Sequence, residues 1–287
     1  MTRSPSWLGF LVLAAVLAAL AAHTRPSRAA SPLADELLAA RAKYPAHWWA
    51  PVPQEGAPGW EVLPQAAGPG EVIVSKRHEL GLLSNFAATP FSFRGRRYAS
   101  LEGFWQMMLY PEGPDDPRAR FPGITWASTR DSVARMVAFE AKQAGALAER
   151  NMERMSIGWV TFEGRRFAYR SARPGRHYRL IVAAMREKVR QNPEVKQVLL
   201  ATGELILKPD HHEEAGACPE WRYCDILMQI RAELARRGRS ARSAAGPGRG
   251  TRGRGAPGRG AAAGAGRGGG AGRHGPSAAD RRTEDPP

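Results

Sequence analysis

Apolar and polar positions divide the chain into three regimes. The first opens with an unbroken apolar run from Trp7 to Ala22, preceded by Arg3 and followed by Arg25 and Arg28. A run slightly short of the about 20 residues that span a bilayer, with small residues at Ala19-Leu20-Ala21 and Ser27-Arg28-Ala29, reads as a secretory signal over 1–30. An uncleaved membrane anchor is the alternative. Ala34 to Ala42 patterns as a short helix. The Pro- and Trp-rich stretch from His47 to Gly70 reads as irregular, so that 31–70 forms an arm wrapping the body.

The second regime, 71–237, is densely patterned. Val72 to Val74 suits a short strand. Phe91 to Tyr98 alternates across a turn at Arg94-Gly95, which predicts a hairpin, and Gly158 to Tyr169 does the same around Glu163-Gly164. Ser100 is placed to cap a helix over Leu101–Leu109, stopped by Pro111, with Leu101, Phe104, Trp105, Met108 and Leu109 as its apolar face. Ser128 or Thr129 caps a second helix, with Val133, Met136, Val137 and Phe139 turned inward and Gly145 ending or bending it. Tyr178 to Gln191 is helical. Asn192-Pro193 caps and restarts a helix that ends at Gly203, Glu204 to Leu207 is a brief strand, and a last helix runs from about Cys224 to Arg237. Several helices with short hairpins predict an α+β, mostly helical single domain. No βαβ repeat occurs and no G-x-G-x-x-G follows a strand, so a Rossmann cofactor domain is unsupported.

The third regime, 238–287, is Gly, Arg, Ala and Pro with almost no apolar bulk. Such a segment cannot bury enough surface to offset the entropy of ordering, and disorder is expected. Its Arg-Gly spacing suits phosphate contacts to RNA, DNA or another anionic polymer, and equally a solvated low-complexity tail. Charge has to be apportioned in that light. Of the net +15, the leader carries +3 and the tail +7, which leaves +5 for the body. The basicity lies mostly at the ends and points to no basic face on the domain. Cys218 and Cys224 form a C-x5-C pair that fits either a short disulfide in an oxidising compartment or two reduced thiols. The run His211-His212-Glu213-Glu214 invites a metal reading, but adjacent residues rarely aim at one ion, and no metal site is predicted.

Three segments in register resemble one family. The first is Leu83-Ser84-Asn85-Phe86, then Pro90-Phe91, Gly95, Tyr98, Ser100-Leu101-Glu102 and Gln106. The second is Glu140-Ala141-Lys142-Gln143-Ala144-Gly145. The third is Met185 to Lys188, Gln191-Asn192-Pro193 and Leu199-Leu200-Ala201-Thr202-Gly203. Together, over roughly Val72 to Leu234, they resemble the NADAR (YbiA-like) family, whose patterns are S-N-F, Y-x-S/T-x-E-x-x-x-Q, A-K-x-x-G, K-x-x-x-N-P and L-L-x-T-G. The chain departs from that family between Lys208 and Cys224, where Trp221 stands near the family's Asn and Cys224 near its Gly. It reads as a divergent branch.

The resemblance implies a YbiA-like fold over 71–237 and N-glycosidase chemistry on ADP-ribose, NAD-like or ribosylamino-pyrimidine substrates, without a cofactor. The implied partner is an ADP-ribosyl or ribosyl-nucleotide small molecule, or ADP-ribosylated nucleic acid. The alternative is a non-catalytic ADP-ribose- or nucleotide-binding module; a nucleic-acid binder driven by the tail is a third reading. Breaking a ribosyl C–N bond passes through an oxocarbenium-like sugar, which wants a carboxylate near C1 and a group that eases departure of the base. Glu102 matches the family's Glu on its helix, with Gln106 one turn on along the same face. Lys142 matches the family Lys, as a phosphate partner or a nucleophile at the sugar carbon, and Lys76 is a weaker candidate for those roles. Asp210 stands in for the acid missing from the divergent stretch. Asn85 and Phe86 of the S-N-F turn, Trp105 beside Glu102, and Trp221 as a stacking ring complete the expected binding set. The leader implies export, periplasmic or secreted, with no stable membrane contact unless it is retained as an anchor.

Overall fold

A computed structural model describes residues 39, 41–214 and 216–244. The apolar leader, most of the helix expected at Ala34–Ala42 and the tail beyond Ala244 lie outside the described residues. The alternating stretches form strands β1 (Glu71–Ile73), β2 (Phe91–Phe93), β3 (Arg96–Tyr98), β4 (Trp159–Phe162), β5 (Arg165–Ala168) and β6 (Ile206–Lys208). The helices are α1 (Leu101–Met107), α2 (Arg130–Val133), α3 (Ala138–Arg154), α4 (Arg176–Gln191), α5 (Pro193–Ala201) and α6 (Tyr223–Ala244). The fold is α+β and mostly helical.

Both expected hairpins form. Arg94 and Gly95 turn β2 into β3 with φ of 53° and 74°, and Glu163 and Gly164 turn β4 into β5 with φ of 52° and 69°. Two consecutive left-handed residues match the right-handed twist of the strands they join. β1 and β6, from opposite ends of the body, pair in parallel with Val72 opposite Leu207.

Helix α1 lies between the hairpins. Phe104, fully buried, meets Phe93 and Tyr98 of the first hairpin at 5.6 and 4.9 Å and Phe162 of the second at 5.7 Å. Burial of such a ring contributes roughly 1.5–3 kcal/mol. Ser100 caps the helix as expected, its hydroxyl accepting from Gly103 N at 2.9 Å. At the far end the carbonyls of Met108, Leu109 and Tyr110 are orphaned by the helix ending at Met107. They accept from the buried Arg118 guanidinium at 3.1–3.2 Å, which Asp116 and Thr161 hold at 2.7 Å each. Both ends of the helix that carries Glu102 are therefore fixed.

The second helix of the sequence reading is two helices. Thr129 and Ser132 form a capping box on α2, the chain breaks at 134–137, and α3 restarts at Ala138 with φ of 48°. Gly145 neither ends nor bends α3, which continues to Arg154. Phe139 is not turned inward but is 50% exposed, because the break rotates it off the buried face. Asn192 takes the N-cap position of α5 with Pro193 opening the helix, as expected, but its side chain makes no capping bond. Its side-chain amide donates instead to Pro90 O at 3.1 Å and Lys188 O at 2.8 Å, joining α4 to the first hairpin. Helix α6 continues through Gly238 to Ala244, beyond the Arg237 limit expected for it and into the segment read as tail. Cys218 and Cys224 are both free; Cys224 is buried in α6 while Cys218 precedes the turn at Pro219–Trp221, so the proposed disulfide is not formed.

The arm between 41 and 70 is irregular apart from single 3-10 turns at Ala46–Trp49 and Pro64–Ala66. Trp48 is nonetheless 1% exposed, with its indole donating to Glu79 at 2.7 Å, and Trp49 donates to Glu71 O at 2.9 Å. Further along, Glu61 bridges to His211, Val62 N donates to Asp210 O at 2.9 Å, and Arg77 clasps the Glu61 carboxylate at 2.7 Å twice. Among the described residues no helix is long and apolar enough to cross a membrane.

Candidate active site

A cavity of about 470 Å³ opens beside the first turn of α1, a volume in the range that takes small organic ligands. Glu102 and Gln106 form part of its wall with Trp105, and Lys142 joins them from α3. Glu102 is 6% exposed. Its backbone N–H donates to Asn85 O at 3.0 Å, and its carboxylate accepts from Gln106 Nε2 at 2.7 Å. Arg96, on the neighbouring hairpin, pairs with Asp131 and not with Glu102. Burial pushes the Glu102 carboxyl above its ordinary value, against the opposing pull of the Gln106 amide and of the positive charges of Lys142, His211 and Lys76. An acid shifted in this direction keeps its proton to a higher pH than a free glutamate and is better suited to giving it to a leaving base.

Gln106 is held in place by an absence of side chain opposite. A Cβ on Gly145 would stand 1.8 Å from Gln106 Oε1, so the Gln106 side chain can lie against α3 in this position only because residue 145 is glycine. Glycine within a helix costs about 1 kcal/mol relative to alanine, and Gly145→Ala would ordinarily stabilise. Here it is expected to lower the melting temperature and to cut any base-releasing activity at least tenfold, because Gln106 must leave Glu102. A variant that melts higher and works as well as the parent would refute this account of Gly145.

The loop carrying Asn85 and Phe86 also lines the cavity. Lys188, fully buried on α4, donates to Ser84 O at 2.6 Å and lies 3.5 Å from Leu83 O. Among the described residues no carboxylate pairs with it, and burial lowers its amine to about 7. This lysine positions the loop from behind. The sequence reading placed it in a family motif and gave it no role.

Trp105 donates its indole N–H to Tyr169 at 3.1 Å and meets Trp221 edge to face at 6.5 Å. Trp221 in turn lies under the Arg170 guanidinium at 4.7 Å. The expected aromatic wall is thus present, with Tyr169 and Tyr223 added to it. Asp210 is placed differently from the expectation. It is 1% exposed and does not line the cavity; Lys76 Nζ reaches both its oxygens at 2.6 and 2.5 Å. Burial alone would raise this carboxyl, but hydrogen bonds from His211 and Lys76 carry it below the ordinary value. Asp210 therefore serves to anchor Lys76 at the cavity wall and has no access to a ligand.

Further wall residues were not among the expected site residues: Trp60 comes from the arm, Phe139 and Glu149 from α3, and His211 and His212 from the divergent stretch. Among the described residues no group of three His, Cys, Asp or Glu side chains is placed to hold a metal ion.

No family model matches the chain, and no curated protein matches it. Among solved structures it is similar to the NMR structure of the E. coli protein YbiA, at 19% identity over 63% of this chain and 91% of that one, with a TM-score of 0.37. A likeness that loose carries no weight for fold or chemistry, which rest on the geometry above.

Proposed function

We propose that the chain is a hydrolase of N-glycosidic bonds in ribosyl nucleotides. The observation that carries this reading is Glu102: a carboxyl 6% exposed, pushed upward by burial, standing in the wall of a cavity that also holds Lys142 and stacking rings. In the proposed reaction the C1–N bond breaks with its electron pair passing to the base nitrogen, which takes up a proton. A water oxygen bonds to C1, and its remaining proton balances the one given to the base. Glu102 supplies the proton to the base; the carboxylate then faces the cationic sugar and receives the proton of the attacking water. Gln106 holds the carboxyl's orientation. Lys142, on the exposed side, meets a phosphate of the substrate. The resemblance of the S-N-F, Y-x-S-x-E-x-x-x-Q and A-K-x-x-G segments to the NADAR family supports the same reading, and the leader makes export part of it.

The test is a product screen. Protein spanning 31–244 is incubated with NAD, ADP-ribosylated DNA and a ribosylamino-pyrimidine in heavy-oxygen water, and products are read by mass spectrometry. Free base with the heavy oxygen on the sugar is expected from at least one of them. Binding without base release, unchanged in Glu102→Gln, would instead establish a non-catalytic nucleotide-binding module.

A further inference from the structure

Two of the large apolar side chains that the fold leaves exposed stand together at the lip of the cavity. Trp60 is 42% and Phe139 50% exposed; their rings meet edge to face at 5.9 Å, and Phe86 meets Phe139 at 5.1 Å. They come from three separate segments, so no local pattern forces them together. Each is held from behind. Trp60 adjoins Glu61 and Val62, which are pinned to His211 and Asp210. Phe139 follows Ala138, whose φ of 48° costs a residue with a Cβ about 1–2 kcal/mol. Rings left half-exposed contribute less to the unliganded fold than buried ones, and backbone strain like that at Ala138 concentrates at ligand clamps.

We propose that Trp60 and Phe139, backed by Phe86, form a subsite for a planar heteroaromatic ring, a nucleobase at the end of the ligand remote from the bond beside Glu102. This deepens the reading given above and rests on it for the orientation of the ligand. Rings stack on bases whatever their sequence identity, with about 1–3 kcal/mol lost per stacked base on alanine substitution. Lys76, committed to Asp210, lies 5.6 Å from the Trp60 ring and 5.1 Å from Phe86. Its charge gives the clamp an electropositive flank that favours a neutral base and disfavours a cationic ring. The arm thereby contributes a specificity-determining residue from outside 71–237.

Titration calorimetry with adenosine monophosphate and with ribose 5-phosphate tests this without reference to turnover. The parent protein is expected to bind adenosine monophosphate more tightly than ribose 5-phosphate. Trp60→Ala and Phe139→Ala are each expected to weaken adenosine monophosphate by roughly 5- to 150-fold and to leave ribose 5-phosphate within twofold, while Trp60→Phe restores most of the loss. Equal affinity of the parent for the two probes, no binding of adenosine monophosphate, or an unchanged affinity in Trp60→Ala overturns the subsite. Ribose 5-phosphate binding and melting curves of each variant report that the fold is intact. Binding is read apart from turnover, so absent base release by the parent protein with intact stacking would sink the hydrolase and spare the clamp. The reverse pattern would do the opposite.

Discussion

Glu102→Gln protein is expected to lose base release by about 100- to 10,000-fold, the range that a positioned acid–base group contributes, while holding nucleotide as tightly as the parent. The amide has the carboxyl's shape and can still meet Gln106, which donates to position 102 at 2.7 Å. It can neither give up a proton nor oppose a cationic sugar. The same substitution should leave the protein no less stable, since a carboxyl 6% exposed is held above its ordinary value by burial and contributes an unfavourable ionisation as pH rises. In the parent, the rate is expected to fall on the alkaline side as Glu102 loses its proton, at a pH above the ordinary glutamate range of about 4.3. Rates of Glu102→Gln measured across pH would lack that limb. Full activity in the variant removes Glu102 from the chemistry altogether.

The largest effect on stability is expected at Lys188. Its amine sits near 7 in the folded chain and near 10.4 in an unfolded one. Below pH 7 both states hold the proton, and burying the charge costs on the order of 5 kcal/mol at that separation of values. Between pH 7 and about 10.4 the unfolded chain holds the extra proton, so stability rises with pH, by up to roughly 1.4 kcal/mol per unit. Lys188→Met removes this dependence and also leaves Ser84 O without its donor. Urea unfolding of both proteins at pH 6, 7.5 and 9 checks the sign: the stability of the parent relative to Lys188→Met should grow with pH. A difference that stays flat or shrinks would show that Lys188 is not buried as a titrating amine.

What the sequence made legible was set by local geometry. Arg94-Gly95 and Glu163-Gly164 announce their hairpins because left-handed residue pairs have few other uses between alternating strands. Ser100 announces α1 because its hydroxyl meets Gly103 N within one turn. Glu102, Gln106, Lys142, Asn85, Phe86, Trp105 and Trp221 do line one cavity; the family patterns selected the first five, and Trp105 and Trp221 were added as aromatic rings near them. The misplacements share a different cause. Gly145 looked like a helix end because nothing in the chain around it shows that Gln106 arrives there from α1. Asp210 looked like an acid for catalysis because its partner, Lys76, is distant in sequence. Phe139 fitted an inward stripe until the break at Ala138 rotated it outward. Trp60 carried no signal at all, being one tryptophan in a proline-rich stretch. Gly145, Asp210 and Trp60 depend on neighbours brought by tertiary packing and Phe139 on a local break in the backbone, neither of which periodicity encodes.

The parallel pairing of β1 with β6 has a consequence for how an occupied cavity feeds back on the whole chain. Its walls are drawn from Trp60 to Tyr223, segments as far apart in the chain as the two strands, so both the pairing and the cavity are non-local features of the folded chain. On the proposed function, a nucleotide seated there would bind the folded chain and not the unfolded one. It therefore acts as a fastener across the seam, raising the melting temperature with the logarithm of its concentration and adding about 2.7 kcal/mol when present at a hundred times its dissociation constant.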